Sequence, residues 1–335
     1  MAYFIRVLGL AITCAVFFEL KGMEDNPLTH WDEVVEQLSE KDPLQERGID
    51  RLRGYLYYAQ RKIGEKSAST GDIDSVSLFV IQLFYPEYQG TVTDNPKTKD
   101  LRDELNRRFK KENEQIHPVT LQKGGGWVGK VPYVGLKTPT WEPWVLKSAD
   151  EFRVEAPPKD PLFWKDQIVQ IRDVMQNVTE PQKKRILFWA GMPTSLAGDW
   201  IIILNEYIQK TNPPLSTQLK VREAVAIVIV DATIGAFDSK YAYLTKRPDM
   251  VDPTLKTEIP TPNHPSYPAG HSAVSAAVVE VLRHYFPENN AQWQKFLEEA
   301  GMSRIWAGIH FPIDHQVGQI LGKNVGKAVL QRLNK

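Results

Sequence analysis

Apolar residues recur at three- and four-residue intervals along most of this chain, and period-two alternation is rare. That pattern predicts an all-α fold, a helical bundle with polar outer faces. Helices are expected over Thr29–Leu38, with Thr29 as a cap, and over Gly48–Lys66, Ile73–Tyr85 and Leu101–Gln115. Phe163–Asn177 follows, then Gln182–Gln209 as one helix broken near Pro193 and Gly198, or as two. Leu215–Phe237, Gly270–Tyr285, Ala291–Ala300 and Asp314–Leu333 complete the set. Between them Gln122–Pro161 is rich in Gly, Pro and Trp and reads as irregular chain. Trp141, Trp144, Phe152 and Trp164 are expected to pin it across the helical body. Gly124-Gly-Gly126 lacks the Lys-Ser/Thr pair of a phosphate loop, so it reads as a hinge. The chain thus divides into an N-terminal helical region (24–120), a connecting segment (121–161) and a helical core (162–335). The first and last can also form one continuous domain.

Met1 to Phe18 has the form of an export signal: Arg6 supplies the early charge, and Val7–Phe18 is too short to span a bilayer comfortably. The expected destination is the periplasm or the medium. An uncleaved anchor or a buried helix is the plainer alternative. Ala11-Ile-Thr-Cys14 is faintly like a lipoprotein processing site, but the apolar run continues past the cysteine. Cys14 is the single cysteine, so no intrachain disulfide can form. No later stretch has membrane-spanning length, so membrane contact is expected only through the N-terminal signal or anchor.

Composition narrows the partners. The 41 basic and 41 acidic residues cancel, which gives no reason to expect nucleic acid or an anionic surface as partner. With 42% hydrophobic and 24% charged residues, 335 residues can bury a sizeable core. Any cationic site must be local.

One stretch concentrates such chemistry. Lys240 and Arg247 lie seven residues apart, so two helical turns would put them near one face before Pro248 stops the helix. Arginine offers a planar fork to oxyanion oxygens and lysine a point charge, although such a pair more often marks a solvated face. Pro268-Ala269-Gly270-His271 reads as a turn entering a small-residue helix. Gly270 would let a ligand approach the backbone, and the free N–H groups of the helix start attract anions. The plain alternative is an ordinary helix start with an exposed histidine. His310 and Asp314 are four apart and would meet on one helical face unless the chain bends at Pro312. A carboxylate on one imidazole nitrogen leaves the other free as nucleophile or ligand. A purely structural His–Asp pair is the common alternative. Arg304 can add a third positive charge.

Taken in order, Lys-x6-Arg-Pro, Pro-x-Gly-His and Ser-Arg-x5-His-x3-Asp resemble the signature of the phosphatidic acid phosphatase type 2 / vanadium haloperoxidase superfamily. A looser likeness to its soluble, haloperoxidase-like bacterial branch runs upstream. It is carried by Trp144–Arg153, Phe188-Trp-Ala-Gly191 and Asp231–Tyr241. The resemblance implies a helical bundle of the acid phosphatase/haloperoxidase type. It implies that Lys240, Arg247 and Arg304 hold the equatorial oxygens of phosphate or vanadate, with the Gly270 N–H as a further donor. His310 would be the nucleophile or the vanadium ligand, Asp314 its orienting carboxylate, and His271 the general acid and base. His264 would support protonation changes beside the oxyanion, or be only a loop histidine. Ala269 stands where the family usually has serine, which removes one hydroxyl donor.

Three functions follow. A haloperoxidase would carry vanadate as cofactor, with peroxide and halide as substrates and Lys240 polarising the bound peroxide. An acid phosphatase would need no metal and would hydrolyse phosphomonoesters through a phosphohistidine at His310. A non-catalytic oxyanion-binding homologue would keep the scaffold alone. The N-terminal helices could cover the mouth of the site or build a homodimer contact.

Overall fold

A computed structural model describes residues 27–41, 48–65, 69–92, 95–114, 125–190 and 196–334. The expected signal at 1–18, Cys14, His117 and Gly124 lie outside the described residues, which contain twelve α-helices. They are α1 (Pro27–Lys41), α2 (Ile49–Gly64), α3 (Thr70–Phe84), α4 (Pro96–Glu114), α5 (Pro161–Gln176) and α6 (Glu180–Trp189). Then come α7 (Leu196–Thr211), α8 (Leu215–Tyr243), the single turn α9 (Pro248–Val251), α10 (Gly270–Tyr285), α11 (Asn290–Trp306) and α12 (Pro312–Leu333). Among the described residues no strand forms beyond one isolated bridge between Gly126 and Thr245. None of these helices is long and apolar enough to cross a membrane.

Local chemistry sets several boundaries. Ser69 and Asp72 close a capping box at the start of α3, and Thr179 with Gln182 does the same for α6. Asp160 caps α5 by accepting from the Leu162 N–H, and Pro161 takes the first helical position, where a missing N–H costs nothing. Thr29 is not a cap: α1 already starts at Pro27. The region 182–209 is two helices, and Gly198 lies inside the second.

The 29-residue α8 is buried around nearly its whole circumference, with its charged Arg222 and Glu223 paired inside. It packs against α2 from the N-terminal region and against α10 and α12 from the C-terminal one. One apolar cluster runs through Leu56, Val80, Trp200, Val225, Val278 and Val325, so the N-terminal helices share the core of the rest. Ion pairs fasten the same joint: Asp32 of α1 meets Arg222, and Arg61 of α2 meets Glu223, both partners on α8.

The segment after Gly125 is irregular, as its composition predicts, but firmly attached. The N–H groups of Trp144, Val145 and Leu146 all donate to the buried Asp231 carboxylate, at 2.8, 3.0 and 3.1 Å. Arg153 forks onto Asp238 with two 2.7 Å bonds. The Trp144 ring packs edge-on to Tyr55, with centroids 4.8 Å apart, and carries the Arg108 guanidinium 4.0 Å above it. Two of the upstream stretches in the sequence signature are therefore two sides of one contact.

The tightest packing positions the site. Gly318, Gly322 and Gly326 form a stripe on α12 against α10. A Cβ on Gly322 would lie 2.0 Å from the Ala273 carbonyl oxygen, and one on Gly318 would lie 2.6 Å from that of Ala269. Only glycine permits this approach, and the small residues of α10 meet it from the other side. The start of α12 is thereby held against the start of α10, where the Ala269 N–H donates to the Asp314 carbonyl at 2.9 Å.

Candidate active site

Lys240 lies in the last turn of α8, which ends when Leu244 turns left-handed (φ 50°). The chain then leaves the helix: the Leu244 carbonyl accepts from the Trp127 N–H and the Thr245 carbonyl from the Ser266 N–H. Lys240 and Arg247 are consequently not on one helical face, as their spacing suggested. Pro248 does not stop a helix either. It opens α9, with Arg247 as the residue before it. The two side chains still converge, because the loop after the helix folds back.

Both are fully buried and heavily engaged. The Lys240 ammonium donates to the carbonyls of Pro265, Ser266 and Pro268 at 2.9, 2.7 and 2.6 Å, which uses all three of its hydrogens. Arg247 donates through Nε to the His264 carbonyl at 3.0 Å and through one terminal nitrogen to the Ile309 carbonyl at 2.6 Å. That nitrogen also lies 3.0 Å from His310 Nε2, and the other lies 3.1 Å from His264 Nδ1.

His310 is not on a helix. Gly308, at φ 73°, turns the chain after α11, and α12 begins two residues past the histidine. Asp314 sits in the first turn of α12 and reaches back. Its Oδ2 accepts from the Phe311 N–H at 3.0 Å, from the Ser266 hydroxyl at 2.5 Å and from His310 Nδ1 at 2.8 Å. A carboxylate can only accept here, so Nδ1 carries the proton and Nε2 the lone pair. Ser266, between His264 and Pro268, had no role in the sequence reading; its hydroxyl steadies the Asp314 carboxylate.

Gly270 opens α10, and its missing side chain leaves the nearest heavy atom, Lys240 Cε, at ordinary contact distance from an added Cβ. His271 follows. Its Nε2 lies 2.7 Å from the Trp189 carbonyl, which fixes the proton on Nε2 and leaves Nδ1 as acceptor. Arg304, from the last turns of α11, donates to the Ile186 carbonyl and to Ser303 Oγ. His264 stacks beside Phe237, with ring centroids 5.1 Å apart. His315 faces away, bonded to Ser272 and Glu298.

A cavity of about 210 Å³ brings together Lys240, His264, Gly270, His271, Arg304 and His310. Arg247 and Asp314 lie behind His310 and do not line it. Ala269 is sealed at the head of α10 without a capping side chain. Asp50, far away in sequence, also lines the cavity and sits in no recognised motif; Phe237, within the Asp231–Tyr241 stretch, lines it too but had no assigned role.

Burial and mutual repulsion dominate the electrostatics. Burial, then the Arg247 charge, pushes the Lys240 ammonium well below the lysine range. Burial with Arg247 and Lys240 does the same to His310, and burial with Arg304 to His271. Burial with Lys240 and Arg247 depresses His264. Arg247 and Arg304 are each lowered to about 10, chiefly by burial, with Asp314 and Asp199 respectively opposing. Burial raises Asp314, while Ser266, the Phe311 N–H and the two nearby cations pull it back. A dianion in the cavity would relieve this repulsion, so the donor set fits a tetrahedral oxyanion.

Fold and site together define a helical bundle that encloses a pocket lined by cationic and imidazole side chains. Residues 221–335 match the family model of the PAP2 superfamily. Its fold is similar to that of a bacterial vanadium-dependent iodoperoxidase, with a TM-score of 0.75 at 19% identity, over 91% of this chain and 95% of that one. A bacterial vanadium-dependent chloroperoxidase is also similar in its apo and holo forms. Their TM-scores are 0.64 and 0.63 at 12% identity, over 85% of this chain and 93% and 91% of theirs. No curated protein matches the chain.

Proposed function

We propose that this protein is a vanadate-dependent haloperoxidase. One observation carries the reading: His310, with Nδ1 bound to Asp314, lines a cavity made positive by Lys240, Arg304 and the start of α10. The fold likeness to the iodoperoxidase, which takes in nearly all of both chains, supports it.

His310 Nε2 would bind the vanadium, and the Asp314 carboxylate would keep that nitrogen basic by holding the Nδ1 proton. Arg304 and the Gly270 N–H would hold oxygens of the oxyanion, and Arg247 would join them by releasing His310 Nε2. Lys240, its hydrogens committed to carbonyls, would act as a point charge. His271 Nδ1 would take the proton of incoming peroxide. Vanadate, when bound, supplies a Lewis acid that activates peroxide without changing its own oxidation state. The test is iodide and bromide oxidation by hydrogen peroxide before and after loading with orthovanadate. Vanadate-dependent turnover lost in His310→Ala supports the reading; no turnover in the loaded wild type refutes it.

A second reading, an acid phosphatase, is favoured by Lys240. With three carbonyl partners the ammonium has no hydrogen left to polarise a peroxide. In that chemistry His310 Nε2 attacks phosphorus and His271, charged by the nearby dianion, protonates the leaving alkoxide. Aryl phosphate hydrolysis that vanadate inhibits, without halide oxidation, selects it.

A further inference from the structure

Asp50 is a carboxyl group in a cavity otherwise furnished with cations and imidazoles. It lies in the first turn of α2, directly after Gly48 and Ile49, and its side chain lines the same cavity as Lys240 and Arg304. A first-turn acid is ordinary when it stays in water and faces the helix N-terminus. Asp50 is only partly exposed: among the described residues its Oδ1 is sealed from water and has no hydrogen-bond partner. Burial pushes its pKa up to about 7, and among the described residues no cation offsets the shift. The cations of its own helix are committed elsewhere. Arg51 pairs with Glu112 and lies over Trp141, and Arg53 pairs with Glu36.

Ile229, Ala236 and Phe237 of α8 line the same cavity and give it an apolar stretch of wall. A second anion would be repelled at Asp50, and a plain apolar group would offer its carboxylate no donor. A cation with N–H groups satisfies both the charge and the lone pairs.

We propose that Asp50 is a specificity-determining residue that receives the primary ammonium group of a small organic ligand sharing the cavity with the oxyanion. This rests on the reading that the Arg304 end takes an oxyanion. The ammonium can belong to a separate amine or be joined to the oxyanion through a short apolar linker. The N-terminal helices thereby complete the pocket rather than merely cover it.

The test is calorimetric binding of 2-aminoethyl phosphate, ethyl phosphate, ethylammonium and inorganic phosphate to the whole protein and to Asp50→Asn. The two esters differ in the ammonium group. A preference for the aminoethyl ester of roughly tenfold or more, lost in Asp50→Asn, supports a linked ligand. Ethylammonium binding that depends on Asp50, without an ester preference, supports a separate amine. Equal ester affinities with no Asp50-dependent ethylammonium binding overturn the proposal. Inorganic phosphate reports on the cationic end by itself. Its failure to bind refutes the oxyanion reading, while the ethylammonium arm still decides Asp50.

Discussion

His310 Nδ1 lies 2.8 Å from Asp314 Oδ2 although the histidine precedes the helix that carries the aspartate. The carboxylate serves two ends at once: it closes the first turn of α12 through the Phe311 N–H and fixes the imidazole tautomer. Folding of the helix start and orientation of the His310 imidazole are one event.

That double duty makes Asp314→Asn a sharp test. The amide can donate to Nδ1, which moves the proton to Nε2 and removes the lone pair from the cavity. Turnover should fall by roughly 10–100-fold or more, with oxyanion affinity weakened alongside. Steady-state rates and phosphate titration check both; an unchanged rate would refute the role of the pair.

Ala269 heads α10 without a side-chain cap. In Ala269→Ser the new hydroxyl should accept from a first-turn N–H and raise stability by about 1 kcal/mol. Urea unfolding measures the gain, and sulfate titration shows whether the hydroxyl also reaches the oxyanion.

Gly322→Ala should be costly despite alanine's better helix propensity. The added methyl would sit 2.0 Å from the Ala273 carbonyl oxygen. Overpacking costs about 1–3 kcal/mol, against about 1 kcal/mol gained from propensity. Net destabilisation in urea is expected, with activity lost in the protein that remains folded, because α10 and α12 are spread at the site.

The depressed histidines predict how oxyanion binding depends on pH. Burial and the surrounding cations keep His271, His310 and His264 neutral at pH 7. A bound dianion raises their pKa values, so binding takes up protons, and affinity should rise as pH falls from neutrality toward acid. Sulfate is the suitable probe because it does not itself titrate there. Calorimetry in buffers of different ionisation enthalpy should register proton uptake near pH 6; proton release would contradict the sign.

Much of the fold was legible because burial leaves a periodic trace. The strongly apolar stretch Leu215–Phe237 marked a helix that the structure extends to Tyr243, and the start of Gly270–Tyr285 was marked by the turn before it. The motif order also named Lys240, His271, Arg304 and His310, which the structure brings to one cavity, with Arg247 and Asp314 behind it.

Other features had no local trace. Lys240 and Arg247 kept their proximity but not their predicted helix, because tertiary bonds from Trp127 and Ser266 draw the chain out after Leu244. Ser266 gained its role only when the loop before α10 met the start of α12. Asp50 looks like any first-turn acid until the fold seals its Oδ1 and places the residue on the cavity wall. The sequence by itself determined the helices and the donor chemistry, because periodicity and residue type are local properties. Only the tertiary structure decided which donors remain available and where a carboxylate faces them, because burial and pairing depend on segments far apart in the chain.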